Sequence, residues 1–200
     1  HACANRLLSK YNQPSISLRE SQSFIGDGVR NFVKSAWCKS NAKINEDRLT
    51  QLEVEFLEDY ENHPAQLSQT YPGVRETLNQ LRQLGYEMAV CTNKPQIAAE
   101  KLLRNLDLKD FFLQIAGGDF YSVKKPNKLH LLNLLGDLGK PAPSAVMVGD
   151  NEHDAHTANA AETTFILCSY GYARIPLENI TFDFKIDRFN ELLNLEIFGK

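Results

Sequence analysis

Two hundred residues suit one medium domain or two small ones. Apolar side chains make up 42% and charged ones 24%, the balance of a soluble globular chain, and a net charge of −3 argues against general nucleic-acid binding, which needs a basic face. No run nears the ~18 consecutive apolar residues of a membrane-spanning helix, and the first ten residues lack the long apolar stretch of a secretion signal.

The first part of the chain carries helical signals and no convincing strand. A helix is expected over Ala2 to Lys10, closed by Asn12 and Pro14, and a second from about Ser17. Ile25-Gly26-Asp27-Gly28 reads as a turn, with a helix from Val29 to Cys38 after it. Asn45 is a plausible N-cap, with Glu46 and Asp47 well placed at the positive helix end. The helix it starts carries Leu49, Leu52, Phe56, Leu57 and Tyr60, the stripe of a helix with one buried face. Trp37 and Phe32 belong to the expected bundle core. A polar connector runs from Asn62 to Gln69 and contains Pro64. Residues 1–68 are therefore expected to form a small helical domain.

From residue 69 strands and helices alternate. Tyr71-Pro72-Gly73 opens a helix from Val74 to Leu84, with Val74, Leu78 and Leu81 inward and Gly85 as its stop. Tyr86 to Cys91 is an apolar strand, then a Thr92–Pro95 loop, then a helix to about Arg104 that Asn105 ends. Phe111 to Ala116 is a second strand, ending at Gly117-Gly118. Lys128 to Leu138 is a helix with Leu129, Leu132 and Leu135 inward. Ala145 to Val148 is a third strand before Gly149-Asp150. A short helix over Asp154 to Ala160, a strand over Thr164 to Cys168 and a helix over Asp187 to Leu195 complete the pattern. Short, fully apolar strands between helices predict an α/β fold, a Rossmann-like parallel sheet covered on both faces.

In such sheets ligands sit beyond the carboxyl ends of the strands. Thr92 and Asn93 follow the first strand. Lys124 and Lys125 follow the loop after the second, and Asp150 and Asp154 follow the third. A hydroxyl, a cation and two carboxylates at one sheet edge are what phosphoryl transfer needs. The hydroxyl and backbone N–H groups hold phosphate oxygens, the lysine offsets their charge, and the carboxylates hold Mg²⁺. Each piece alone has a plain structural reading: Thr92 as a helix cap, Lys125 as a solvated lysine, Gly149-Asp150 as a turn. Their order at successive strand ends makes the combination specific. His153 and His156 are three apart, but no third soft ligand is near, so they read as polar residues beside an acidic loop. Cys91 reads as a small buried hydrophobe. The four cysteines, Cys3, Cys38, Cys91 and Cys168, form no CxxC pair and no zinc spacing, which fits a reducing cytoplasm.

These residues resemble the haloacid-dehalogenase (HAD) superfamily across essentially the whole chain. Val90-Cys91-Thr92-Asn93 resembles its second motif, Lys125-Pro126 its third, and the Gly149–Asp154 run GDNEHD its fourth. Ser23 to Gly28, Tyr71-Pro72-Gly73-Val74, Tyr170-Gly171-Tyr172, Phe182-Asp183 and Ile186-Asp187 are similar to segments of the phosphoglycolate phosphatases in particular. The resemblance implies an α/β core (69–200) with an inserted helical cap (1–68). It implies Mg²⁺-dependent hydrolysis of a small phosphomonoester, 2-phosphoglycolate first, through an aspartyl-phosphate. Thr92 and Asn93 would hold phosphate, and Lys125 would offset its charge. Asp150 would ligate Mg²⁺, with Asp154 ligating or orienting that shell. Gly26, Asp27, Gly28 and Arg30 would be the cap residues facing substrate. No nucleic-acid or membrane partner is implied, and the assembly would be a monomer or a homodimer.

One departure matters most. Family members carry a DxDGT motif at the end of the first core strand, before the cap. Here the only aspartates before Thr92 are Asp27, Asp47 and Asp59. Asp27-Gly28 mimics half of the motif but has Ile25 where the nucleophile belongs. The first core strand and its nucleophile are thus expected to be missing, and the chain, which starts with His1, to be truncated and inactive as it stands. The rival expectation is a pseudoenzyme or regulatory module that keeps the fold and an anion site. A mutase or dehalogenase of the same superfamily shares the present residues. Asn127-Lys128 after Lys125-Pro126, where many relatives have a second proline, leaves the substrate open among sugar phosphates, nucleotides and pyrophosphate.

Overall fold

The computed structural model describes residues 1–39, 43–63 and 67–198. The chain divides into two compact units, His1–Gln66 and Leu67–Lys200. Pro64 in the expected connector lies outside the described residues.

The first unit holds helices α1 (Ala2–Lys10), α2 (Leu18–Ser23), α3 (Val29–Cys38) and α4 (Glu46–Asn62). Their starts follow from local chemistry. Ser17 and Glu20 cap α2 reciprocally, the Ser17 hydroxyl accepting the Glu20 N–H at 3.3 Å and the Glu20 carboxylate accepting the Ser17 N–H at 2.7 Å. The Asn45 side chain accepts the Arg48 N–H at 2.9 Å to start α4. Between α2 and α3 the chain turns through Gly26 and Gly28, both at positive φ, which a side chain would strain. Leu7 and Leu8 of α1, Val33 and Trp37 of α3, and Leu49, Leu52 and Phe56 of α4 form the buried core. Leu57 and Tyr60 are half-buried at its margin.

The second unit runs α5 (Val74–Gln83), β1 (Ala89–Cys91), α6 (Gln96–Asn105), β2 (Gln114–Ala116), α7 (Lys128–Asp137), β3 (Val146–Gly149), α8 (Glu152–Ala160), β4 (Thr164–Cys168) and β5 (Phe184–Ile186), with short 3₁₀ turns between. Among the described residues all strand pairings are parallel. β1 pairs β2 with Val90 opposite Ile115, and β3–β4–β5 form a second ladder with Val148 opposite Ile166 and Ile166 opposite Phe184. Among the described residues, β1 and β3 each carry a pairing partner on one side. β4 is buried on both faces. Phe165 and Leu167 pack with Leu131 and Leu135 of α7 and Ala155 and Ala158 of α8, while Ile166 and Cys168 pack with Ile186 and Leu192. Burying those four β4 side chains stabilises the unit by roughly 1.5–3 kcal/mol for each of the large ones.

Several expected elements are corrected. The strands expected over Tyr86–Cys91 and Phe111–Ala116 shorten to β1 and β2. Tyr86 and Glu87 are exposed, and Lys109–Phe111 is a 3₁₀ turn. On α7 the inward residues are His130, Leu131, Leu134 and Leu135, and Leu129 is exposed. Five leucines in ten residues leave several stripes open, so the pattern alone does not choose the face. α8 starts at Glu152 rather than Asp154, because Asn151 caps it. The helix expected over Asp187–Leu195 is a 3₁₀ turn, Phe189–Asn194, followed by another over Glu196–Phe198. β5 was not expected, although Phe182 to Asp187 alternates apolar and polar residues as a half-buried strand does.

Candidate active site

Three strand-end segments of the second unit meet around one lysine. β1 delivers Thr92, whose N–H extends the parallel ladder to the Ala116 carbonyl at 3.0 Å. The Thr92 hydroxyl accepts the Lys94 N–H at 3.1 Å, which bends the chain into α6. The Asn93 amide donates to the Lys125 carbonyl at 2.8 Å and ties this loop to the next.

Lys125 reaches back across the gap. Its ammonium donates to the Cys91 carbonyl at 2.7 Å and to an Asp154 oxygen at 2.6 Å. The pair is buried, with side-chain exposures of 11% and 5%. A solvated lysine, the plain reading of this residue taken alone, is thereby excluded. The backbone of Lys125 is fixed as well: its N–H donates to Nδ1 of the fully buried His130 at 3.2 Å. That bond requires the neutral ring with its proton on Nε2.

The third segment is the turn from β3 into α8. The Asn151 side chain caps α8 by accepting the N–H groups of His153 and Asp154. Asp154 folds back, and one of its oxygens accepts the N–H of Asp150 at 3.0 Å and of Asn151 at 3.3 Å. Gly149 permits this. A Cβ there would lie 2.4 Å from the Asp154 side chain. Asp150 accepts from the Asn151 side chain at 3.0 Å and from the Tyr172 N–H at 2.8 Å. The loop after β4 comes this close because residue 171 is glycine: a Cβ there would sit 2.1 Å from Asp150.

The two aspartates are pushed apart electrostatically. Burial and the neighbouring Asp154 charge raise the Asp150 carboxyl above its ordinary range, against the Tyr172 N–H and Lys125. Burial would raise Asp154 too, but the Lys125 ammonium and its hydrogen bond hold it below. Burial likewise works against the Lys125 ammonium, yet Asp154 keeps it raised. The Cys91 thiol is pushed up to about 11 by burial, which fits the hydrophobe expected there and not a nucleophile.

Among the described residues, no group of three or more His, Cys, Asp or Glu is arranged to hold a metal ion. The donor set still suits a hydrated hard cation, since Mg²⁺ takes oxygen ligands and keeps several waters. Asp150 fits as one oxygen ligand. Three protein donors occupy most of the acceptor capacity of Asp154, which suits it to orienting neighbours rather than ligating. His156 is exposed, and His153 contacts the Arg174 guanidinium at 2.8 Å. Thr92, Asn93, Lys125, Asp150 and Asp154 thus lie together. Gly26, Asp27, Gly28 and Arg30 belong to the first unit, where Arg30 pairs with Glu46 and Glu53 of α4 at 2.6 and 2.8 Å. Residue reading missed the Tyr172 N–H and Gly171. The strand-end rule, applied to β4 as it was to β1 and β3, would have pointed to both.

The model of the haloacid dehalogenase-like hydrolases matches residues 1–168. The chain belongs to this family. A phosphoglycolate phosphatase of Cereibacter sphaeroides is 32% identical over 195 residues, 98% of this chain and 88% of the relative. One from Aliivibrio fischeri is 33% identical over 184 residues, 90% of this chain and 81% of the relative. Among solved structures, a predicted phosphoglycolate phosphatase from Haemophilus somnus superposes with a TM-score of 0.91 at 28% identity, covering 96% of this chain and 88% of that one. CbbY from Rhodobacter sphaeroides, solved with xylulose-(1,5)bisphosphate, shares the HAD fold at a TM-score of 0.79 and 20% identity, covering 96% and 87%. Among the described residues no helix is long and apolar enough to cross a membrane.

Proposed function

We propose that the chain carries the phosphate- and metal-handling half of a Mg²⁺-dependent phosphomonoesterase for a small phosphorylated metabolite. The observation that carries this reading is the buried Lys125–Asp154 pair, held to the end of β1 through the Cys91 carbonyl and set beside Asp150. Burying such charges has a desolvation cost, and a site that must meet a doubly charged phosphate gives a reason to bear it.

In this reading the Thr92 hydroxyl and the Asn93 N–H hold phosphate oxygens, and Lys125 offsets their charge as it shifts in the transition state. Asp150 ligates Mg²⁺, and Asp154 fixes Lys125 and the Asp150 backbone. The bound Mg²⁺ would supply further charge against the phosphoryl oxygens. Selection of the group that carries the phosphate falls to the helical unit as a cap domain, with Gly26, Asp27 and Gly28 as its candidate residues. Arg30 would have to leave two glutamates to take part. The names of the Cereibacter and Aliivibrio relatives support 2-phosphoglycolate as the first substrate to try, and the CbbY complex keeps a sugar bisphosphate open. Four free cysteines support a cytoplasmic setting.

No Asp-x-Asp pair occurs in the 200 residues. We therefore assign the nucleophile and the general acid to carboxylates outside them, and the chain alone to low or no turnover. The test is phosphate release from 2-phosphoglycolate and a panel of small phosphate esters with Mg²⁺. The chain alone should be inactive. The chain preceded by a strand ending in an Asp-x-Asp turn should be active and should lose activity on Asp150→Asn. An inactive extended protein that still binds inorganic phosphate would sink the phosphatase reading in favour of a regulatory anion-binding module.

A further inference from the structure

Asp150 is held by a backbone N–H from a loop that has no regular structure of its own. Residues 169–174 leave β4, pass Asp150 and turn away. Something must keep the Tyr172 N–H in place, since a free loop would move that donor in and out of reach.

At its start the loop is tied by the Ser169 N–H to the Ile186 carbonyl at 3.0 Å and by the Ser169 hydroxyl to Asp187 at 2.5 Å; past Tyr172 the side chain that anchors it is Arg174. Its Nε donates to one Glu152 oxygen at 2.6 Å, and its Nη2 lies 2.5 Å from the same oxygen. Its backbone N–H reaches the other oxygen at 3.4 Å, and its Nη2 also meets His153 Nε2 at 2.8 Å. Glu152 and His153 open α8, directly after the Asp150 turn. The loop is therefore clamped to the same rigid helix start that carries Asp150 and Asp154. The Glu152–Arg174 pair is mostly buried, with side-chain exposures of 10% and 24%, so water competes weakly for it.

We propose that Arg174, paired with Glu152, is a positioning residue that keeps the Tyr172 N–H on the Asp150 carboxylate. Its consequence for metal binding rests on the reading of Asp150 given above. The geometry itself does not depend on that reading. A planar guanidinium is required, because a lysine ammonium cannot span Glu152 and His153 with fixed donors.

The experiment is amide hydrogen exchange of the full chain by NMR, comparing Tyr172 with Leu167 in the middle of its ladder. In Arg174→Ala, Tyr172 protection should fall by about ten- to a hundred-fold, the worth of a hydrogen bond to a charged acceptor, with Leu167 unchanged. Arg174→Lys should fall between the two. Equal loss at Tyr172 and Leu167 would mean general destabilisation and would overturn the proposal. So would unchanged Tyr172 protection. Should Arg174→Ala not fold, the same comparison in Arg174→Lys decides. Titrating the unmodified chain with MgCl₂ while following the Asn151 and Tyr172 amides tests the other layer. Shifts confined to those amides support Asp150 as a ligand, and their absence overturns that reading while leaving the exchange result standing.

Discussion

In the helical unit, Arg6–Asp59, Lys10–Glu55 and the Arg30 pairs lie across the outer faces of α1, α3 and α4, with one partner or both open to water. In the α/β unit, Lys125–Asp154 and Arg174–Glu152 are withdrawn from water and joined to backbone groups of three separate segments. Pairs of the first kind contribute little and can be lost singly. Pairs of the second kind form one connected network, so removing any member leaves a charge stranded. The contrast teaches that the helical unit holds together by its apolar stripe, whereas the α/β unit spends part of its stability on an arrangement of charge.

The largest effect should come from stranding Asp154. Lys125→Ala should destabilise the chain by about 3–5 kcal/mol in denaturant unfolding, because the carboxylate beneath it loses its counter-charge. Replacing both members, Lys125→Met with Asp154→Leu, should recover most of that loss; failure to recover would show that backbone contacts to Asp154 matter more than its charge.

The next prediction has the opposite sign. Asp150 is held above its ordinary range by burial and by Asp154, so its charge opposes folding. Asp150→Asn should raise stability by on the order of 1 kcal/mol while weakening any response to Mg²⁺. Lower stability in the same unfolding measurement would show that the Tyr172 and Asn151 contacts outweigh the repulsion.

On the surface side, Arg6→Ala should cost less than about 1 kcal/mol, and added salt should shrink the difference further. A loss as large as that of Lys125→Ala would erase the contrast between the units.

The smallest effect is one of pH. Lys39 and then Ser17 hold the Glu20 carboxyl down at about 2, against an ordinary 4.5. A depressed folded value means that the contribution is complete above the unfolded value. It is then lost as pH falls from about 4.5 towards 2. Glu20→Gln should flatten that part of the stability profile by lowering stability at neutral pH towards the acid value, which unfolding measured across that pH range checks.

The legible parts of the sequence were those with a local cause. The stripe of α4 named its own buried face, Thr92 and Asp150 announced themselves by following apolar strands, and Lys125 by the loop that leaves the strand between them. What was not legible depends on partners far along the chain. The face of α7 was open because its leucines offer several stripes, and packing chose the one that puts His130 under Lys125. β5 alternates as a strand should, Phe184-Lys185-Ile186, but at three residues the signal is too short to stand out before β4 gives it an edge to pair with. The Tyr172 N–H is a backbone donor: Tyr170-Gly171-Tyr172 stood out by resemblance and by following β4, but neither signal says which carboxylate the donor meets. The Arg174–Glu152 clamp joins residues 22 apart through a loop, a distance at which charge spacing on a helix says nothing.

Gly171 and Gly149 have a consequence for how this site can change over generations. Each occupies a position where the first carbon of any side chain would collide with one of the two aspartates. A mutation at either glycine therefore cannot be a small step: it displaces a carboxylate before it adds any new chemistry. Variation that retunes the site while preserving its layout enters most easily at Tyr172, which holds Asp150 through its backbone N–H, whereas the Asn93 and Asn151 side chains are themselves ties of the layout. In a saturation library of this chain, Tyr172 should yield graded variants, and the two glycines should yield only intact or broken ones.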